Sequence, residues 1–266
     1  MNKIHSTAIV GENVKIGDNV EIGAFCVLEG NIEIGDNTKL YNNVVIKAQK
    51  NSYIKIGKNN RFFPFCVIGG EPQDYKFKGE ESNVEIGDNN IIREYVSING
   101  GSDVGNVLAG TKNLTKICNN CYLYISSHVA HDVYLEDNVV LTNYAGIAGH
   151  CKIDHDTIIG GLTAIHQFVH IGCHVMIGMS CSISYDIPPY SIVIANKDKV
   201  SGANIIGLKR SNFSSNDILS IARFYKEYSN NNTTIKQFVG QHEQDDNKYI
   251  KEILTFIKSS GKRGLI

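Results

Sequence analysis

Residues 117–150 read "ICNNCYLYISSHVAHDVYLEDNVVLTNYAGIAGH", and in them an aliphatic residue returns at every sixth position: Ile117, Leu123, Val129, Leu135, Leu141 and Ile147. Neither the 3.6-residue period of a helix nor the 2-residue period of a strand produces that spacing. The step continues forward through Ile153, Ile159, Ile165, Ile171, Ile177 and Ile183. Towards the N-terminus it runs from Val10 to Ile46, slips by four residues, and resumes at Ile56, Phe62 and Ile68 and then at Ile86, Ile92 and Ile98. Two longer interruptions, 69–85 and 99–114, separate these runs, and the whole series comprises 25 hexads.

A six-residue period is the mark of a parallel β-helix, in which each hexad is a short strand plus a corner and stacking buries one aliphatic and one small side chain per hexad. An all-β solenoid is therefore expected over residues 1–187, and three hexads per triangular coil make ~8 coils. In most hexads the position four after the aliphatic is small or β-branched, and it holds Cys26, Cys66, Cys121, Cys151 and Cys181. At these inward sites cysteine is a compact hydrophobe, so the lone C-x-x-C string, Cys118 to Cys121, is read as core rather than as a metal or redox pair.

The repeat stops at "DIPPYS", Asp186–Ser191, which carries two of the four prolines. Proline cannot continue a ladder, so a boundary is expected there. Beyond it, helical spacing appears over 216–228, weakly over 234–239, and over 247–258, predicting a small helical domain, 188–266, that covers the open end of the sheets.

Lys and Arg number 26 against 27 Asp and Glu. That balance gives no whole-protein field to gather nucleic acid or an anionic membrane. No run approaches the ~20 apolar residues of a membrane span, and the N-terminus lacks a signal-peptide pattern, so a cytoplasmic location is expected.

Coil arithmetic locates candidate chemistry. Positions 18 apart lie on one face, roughly 4.8 Å apart. His128, His131, His150 and His166 then gather on the outer wall within about two coils, whereas His5, His155, His170, His174 and His242 are read as solvated. Asp132 beside His131 suits a base held by a carboxylate. A three-histidine zinc centre, as in γ-type carbonic anhydrases, is the competing reading of such a wall, and a purely structural solenoid leaves both the wall and the interruptions without a purpose.

The strings "PQDYKFKGE", "HVAHD", "AGIAGH", "IIGGLTAIHQF", "HVMIG", "DIPPY" and "GANIIGLKR", in this order and followed by a helical tail ending "RGLI", resemble the UDP-N-acetylglucosamine acyltransferases of lipid A biosynthesis across essentially the whole chain. The resemblance implies a left-handed β-helix, a homotrimer with sites between subunits, and no cofactor or resident metal. It implies transfer of an (R)-3-hydroxyacyl group from acyl carrier protein to the 3-position of UDP-N-acetylglucosamine, or of its 3-amino analogue. His131 is then the general base, Asp132 its support, and the Gly149 N–H the donor to the thioester oxyanion. Gln73, Asp74, Lys76, His128, His150, His166, Gln167, Asn204 and Arg210 become substrate contacts, with Asp74 and Lys76 reaching in from the neighbouring subunit. Two departures stand out: Ile206 and Ser211 replace a glutamate and an arginine of the family's nucleotide-binding string. Met179 occupies the position that measures acyl length, implying a shorter chain than glycine there would admit. Lys197, Lys199, Lys209 and Arg210 form a basic cluster suited to an acidic carrier protein. The nearest alternatives are a coenzyme-A-dependent sugar acetyltransferase and the later N-acyltransferase of the same pathway, which carries an extra N-terminal domain for which hexads beginning near Val10 leave no room.

Overall fold

The computed structural model describes residues 1–194, 200–230, 234–260 and 263–265. Among the described residues 28 short strands wind into three sheets of 11, 9 and 8 strands, with strands three apart in sequence paired side by side except for the last two of the 11-stranded sheet. Every pairing is parallel except the last, Ser191–Val193 against Gly202–Ala203. Register follows the hexads: Tyr122 pairs with Val140, His128 with Gly146, and Lys152 with His170. The hexad aliphatics point inward and are almost wholly buried from Ile22 to Ile183, forming one continuous column with the small residues, the inward cysteines among them. Removing each such side chain from water contributes about 1.5–3 kcal/mol, and this repeated term stabilises strands only two to four residues long.

The chain turns at each corner by a recurrent device. The residue three after the hexad aliphatic takes a left-handed backbone conformation at nearly every corner, as at Asn19, Asn37, Asn59, Asn120, Asn138 and Tyr144. That conformation costs an L-residue about 1–2 kcal/mol and is tolerated best by Asn and Asp, which accounts for the asparagines there. Asp132, His150 and Phe168 occupy the same position on successive coils, with φ of 59°, 64° and 64°.

The four-residue slip and both interruptions leave the solenoid after Ile46, Ile68 and Ile98, all in the nine-stranded sheet. All therefore emerge at the corner that, further along, carries Asp132 and His150. The two longer insertions meet there: Gly100 N–H donates to Gly70 O, and Asn99 Nδ2 donates to Glu71 O at 2.7 Å.

The solenoid is longer than the hexad count suggests. A strand at Lys3–Ile4 precedes Val10, and Ser191–Val193 rejoins the 11-stranded sheet beyond the prolines, pairing with Met176 and Ile177. Pro188 and Pro189 form the turn leading into that strand, with Pro188 O accepting from Ser191 Oγ, so they sit outside its ladder. Among the described residues four helices follow: α1 (Ile205–Arg210), α2 (Ser215–Asn230), α3 (Ile235–Gln241) and α4 (Lys248–Ser259). Three were expected. The six-residue α1 is too short to show a period, and Asn204 starts it by accepting from Gly207 N–H. The helices close a second core around Leu208, Ile221, Phe224, Tyr225, Ile253 and Leu254, joined to the solenoid through Cys173 and Tyr190. Among the described residues no helix is long and apolar enough to cross a membrane.

Candidate active site

His131 and Asp132 lie outside the inward column, yet they are not on the surface. They are 1% and 0% exposed because the second insertion folds over them. Ser102 N–H donates to Asp132 Oδ1 at 2.7 Å, and Ser102 Oγ donates to Oδ2 at 2.6 Å. Asn106 Nδ2 bridges the Asp132 and Cys151 carbonyls, which staples the insertion across two coils. From beneath, Thr115 Oγ1 accepts the Asp132 N–H. An insertion without periodicity gives no warning in the sequence that it will act as a roof.

His131 Nδ1 is 2.8 Å from Asp132 Oδ2. A carboxylate only accepts, so Nδ1 carries the hydrogen and Nε2 keeps the free lone pair. One coil further on, Gly149 lies against this ring. A Cβ at Gly149 would stand 2.6 Å from His131 Nε2 and 2.5 Å from Cε1, so no side chain fits. The Gly149 N–H has no hydrogen-bond partner among the described residues, although Gly149 O accepts from Phe168 N–H.

His150 stands edge-on to His131, with ring centroids 4.8 Å apart, and stacks on Phe168 at 4.4 Å. Its Nδ1 bonds Gly105 O at 2.8 Å. Burial lowers its affinity for protons, partly offset by the Gly105 bond, by Asp132 and by Asp74, whose carboxylate is close enough to act on it within one chain. His128 is also lowered by burial and bonds Ser97 Oγ at 2.8 Å. The four-histidine wall is thus looser than expected. His131 and His150 touch and His128 flanks them, whereas His166 is exposed, with its ring near Gln167 O.

The remaining candidates spread over the molecule. Gln73 and Lys76 are exposed, and Asp74 Oδ1 accepts the Lys76 N–H in a turn of the first insertion. Asn204 is held by a bond from its Nδ2 to His174 O, at a different corner from His131, while Arg210 and Ile206 are exposed on α1. Met179 is 64% exposed at the third corner. Within one chain Asn204, Arg210 and Met179 do not converge on His131. Lys209 is exposed beside Arg210, whereas Lys197 and Lys199 lie outside the described residues.

Several residues read as solvated are not. His170 is 15% exposed, bonds Asp154 and packs on Phe256. His242 packs on Phe224 and Phe238. His174 is 12% exposed and stands with His155 around Asp156, whereas His155 itself, 45% exposed, is solvated as expected. All seven cysteines are free, and burial pushes the Cys66, Cys121 and Cys151 thiols up to about 12, so these are packing groups rather than nucleophiles.

Comparison with known proteins adds the decisive observation. An acyl-[acyl-carrier-protein]--UDP-N-acetylglucosamine O-acyltransferase of Aliarcobacter butzleri is 40% identical over 266 residues, covering 100% of this chain and 98% of its own. The enzyme of that name from Herminiimonas arsenicoxydans is 36% identical over the full length of both. The chain belongs to the UDP-N-acetylglucosamine O-acyltransferase family. A solved family structure from Bacteroides fragilis superposes with a TM-score of 0.90 over 99% of both chains, at 39% identity. The second domain of UDP-N-acetylglucosamine O-acyltransferases matches residues 186–266, and the bacterial transferase hexapeptide repeat matches 1–30 and 13–48. As a UDP-N-acetylglucosamine O-acyltransferase family member the protein is an acyltransferase, and the carbonic anhydrase reading falls away.

Proposed function

We propose that the protein transfers an (R)-3-hydroxyacyl group from acyl carrier protein to the 3-position of UDP-N-acetylglucosamine or its 3-amino analogue, the opening step of lipid A biosynthesis. The observation that carries this reading is the dyad itself: a histidine fixed as the Nε2-basic tautomer by a carboxylate with both oxygens engaged, facing a glycine with an uncommitted N–H. His131 Nε2 takes the proton from the 3-hydroxyl or 3-amine as that atom attacks the thioester carbonyl carbon. The Gly149 N–H receives the oxyanion. As the intermediate collapses, the C–S bond breaks and the carrier thiolate takes the proton back from His131. Such a base accelerates reaction by about 10² to 10⁴.

His128, His150, His166, Gln167, Gln73, Asp74 and Lys76 serve the sugar and acyl chain in this reading. Asn204 and Arg210 serve the UDP, the guanidinium matching a pyrophosphate by paired hydrogen bonds. Because Asn204 and Arg210 sit at another corner from His131, the reading includes a homotrimer whose site is completed across the subunit boundary. The seven free cysteines accord with a cytoplasmic setting. Met179 blocks the far end of the acyl groove and selects a shorter chain.

An acylation assay offering both sugars and a series of hydroxyacyl carrier proteins tests this. Turnover is expected with one sugar and the shorter chains, with His131→Ala at least ~10²-fold slower and Met179→Gly extending the accepted length. Full activity of His131→Ala would overturn the mechanism, and a preference for the longest chains would overturn the role of Met179.

A further inference from the structure

The arrangement of His131, Asp132 and His150 occurs twice. One coil plus one hexad further along the chain stand His155, Asp156 and His174. His155 Nδ1 is 2.8 Å from Asp156 Oδ2, the same separation as in the first dyad. The two rings meet edge-on at 5.3 Å and 87°, against 4.8 Å and 84° in the first. Asp156 and His174 occupy left-handed corner positions, as Asp132 and His150 do. The repeat has copied the constellation to the next corner.

Its surroundings differ. Among the described residues no insertion roofs this corner, and the side chains of His155, Asp156 and His174 are 45%, 34% and 12% exposed. His155 and Asp156 border a groove of about 400 Å³ also lined by Tyr134, Glu136 and Asp137, and His174 stands beside them on the next coil, its Nε2 towards Asp156. In the first constellation Ser102 engages both oxygens of the carboxylate and Gly105 O takes His150 Nδ1. In the second, Asn138 Nδ2 donates to Asp156 Oδ1, and among the described residues Oδ2 has the His155 bond alone. The His174 ring makes no hydrogen bond among the described residues; its Nε2 stands 3.7 Å from Asp156 Oδ2, beyond hydrogen-bond range. One ligand atom from each of the three residues lies within 4.8 Å of the other two.

Two imidazoles and a carboxylate, with the further carboxylates of Glu136 and Asp137 alongside, suit a borderline first-row cation; Mg²⁺ and Ca²⁺ prefer oxygen alone. We propose that His155, Asp156 and His174 bind one divalent transition cation of the Zn²⁺ class, with a remaining position open to water in the groove. His155 changes tautomer on binding, its proton passing to Nε2 as Nδ1 takes the metal. The occupied site ties two coils together beside Asn204, whose Nδ2 donates to His174 O.

The test is titration of the metal-stripped full-length protein with Co²⁺, followed by its visible d–d absorption, and competition by Zn²⁺. One equivalent per chain is expected, with His155→Ala and Asp156→Asn each weakening binding at least ~10-fold and His131→Ala leaving it unchanged. His155 is the cleaner variant because His174 also packs on Tyr190 and Phe213. Metal-free melting temperatures verify that each variant folds. Absence of binding, binding indifferent to His155 and Asp156, or binding lost in His131→Ala would each overturn the proposal.

Discussion

Gly149 is a residue whose identity is dictated by the side chain it touches. Its backbone carries no positive φ, so conformational freedom is not the reason; the His131 ring occupies the space a Cβ would need. Gly149→Ala must push the imidazole off Asp132 or move the coil, and either change displaces the N–H proposed to hold the oxyanion. Loss of one such donor costs about 10²–10³ in kcat. The expected outcome is a fall of that size in steady-state kcat, with a melting temperature showing that the solenoid survives. Near-native turnover would show that neither the ring position nor this N–H matters to the chemistry.

At the scale of elements, the second insertion holds the site together. It supplies Ser102 to both oxygens of Asp132, Gly105 to His150 and Asn106 to two carbonyls. Ser102→Ala leaves Asp132 Oδ2 without its hydroxyl donor in a buried place, a loss of about 1–3 kcal/mol. The carboxylate then holds the His131 ring in place with one contact fewer. Steady-state kcat is expected to fall while the melting temperature shows that the solenoid survives, and an unchanged kcat would count against the contact. The hexads made the solenoid legible because the six-residue step is forced by stacking. The left-handed corner emerged only with the backbone: asparagines three after the aliphatic, at Asn19, Asn37, Asn59 and Asn138, adopt it, and the same count places Asp132 and His150 on one corner. The burial of His131 was not legible, because the roof comes from residues with no period and its contacts join positions 26 to 45 residues apart.

For the whole molecule, three histidines fix how stability answers to pH. His128, His150 and His174 all bind protons less readily in the folded chain than at the ordinary 6.5, with burial the largest cause in each. The groups facing them are Ser97 and His131 around His128; Gly105, Asp132, His131 and Asp74 around His150; Asp156, His155 and Glu252 around His174. Below pH 6.5 the unfolded chain takes up protons that the folded chain refuses. Stability is therefore fully present above 6.5 and declines as the pH falls towards the folded-state values. Each histidine contributes a slope of at most about 1.4 kcal/mol per pH unit. Urea unfolding at a series of pH values is expected to give a flat profile from neutral pH down to the region of 6.5 and a decline below it. His150→Phe should make the decline shallower, since a phenyl ring preserves the stack on Phe168 and binds no proton. A decline equally steep in that variant would assign the acid sensitivity to other groups and remove His150 from this account.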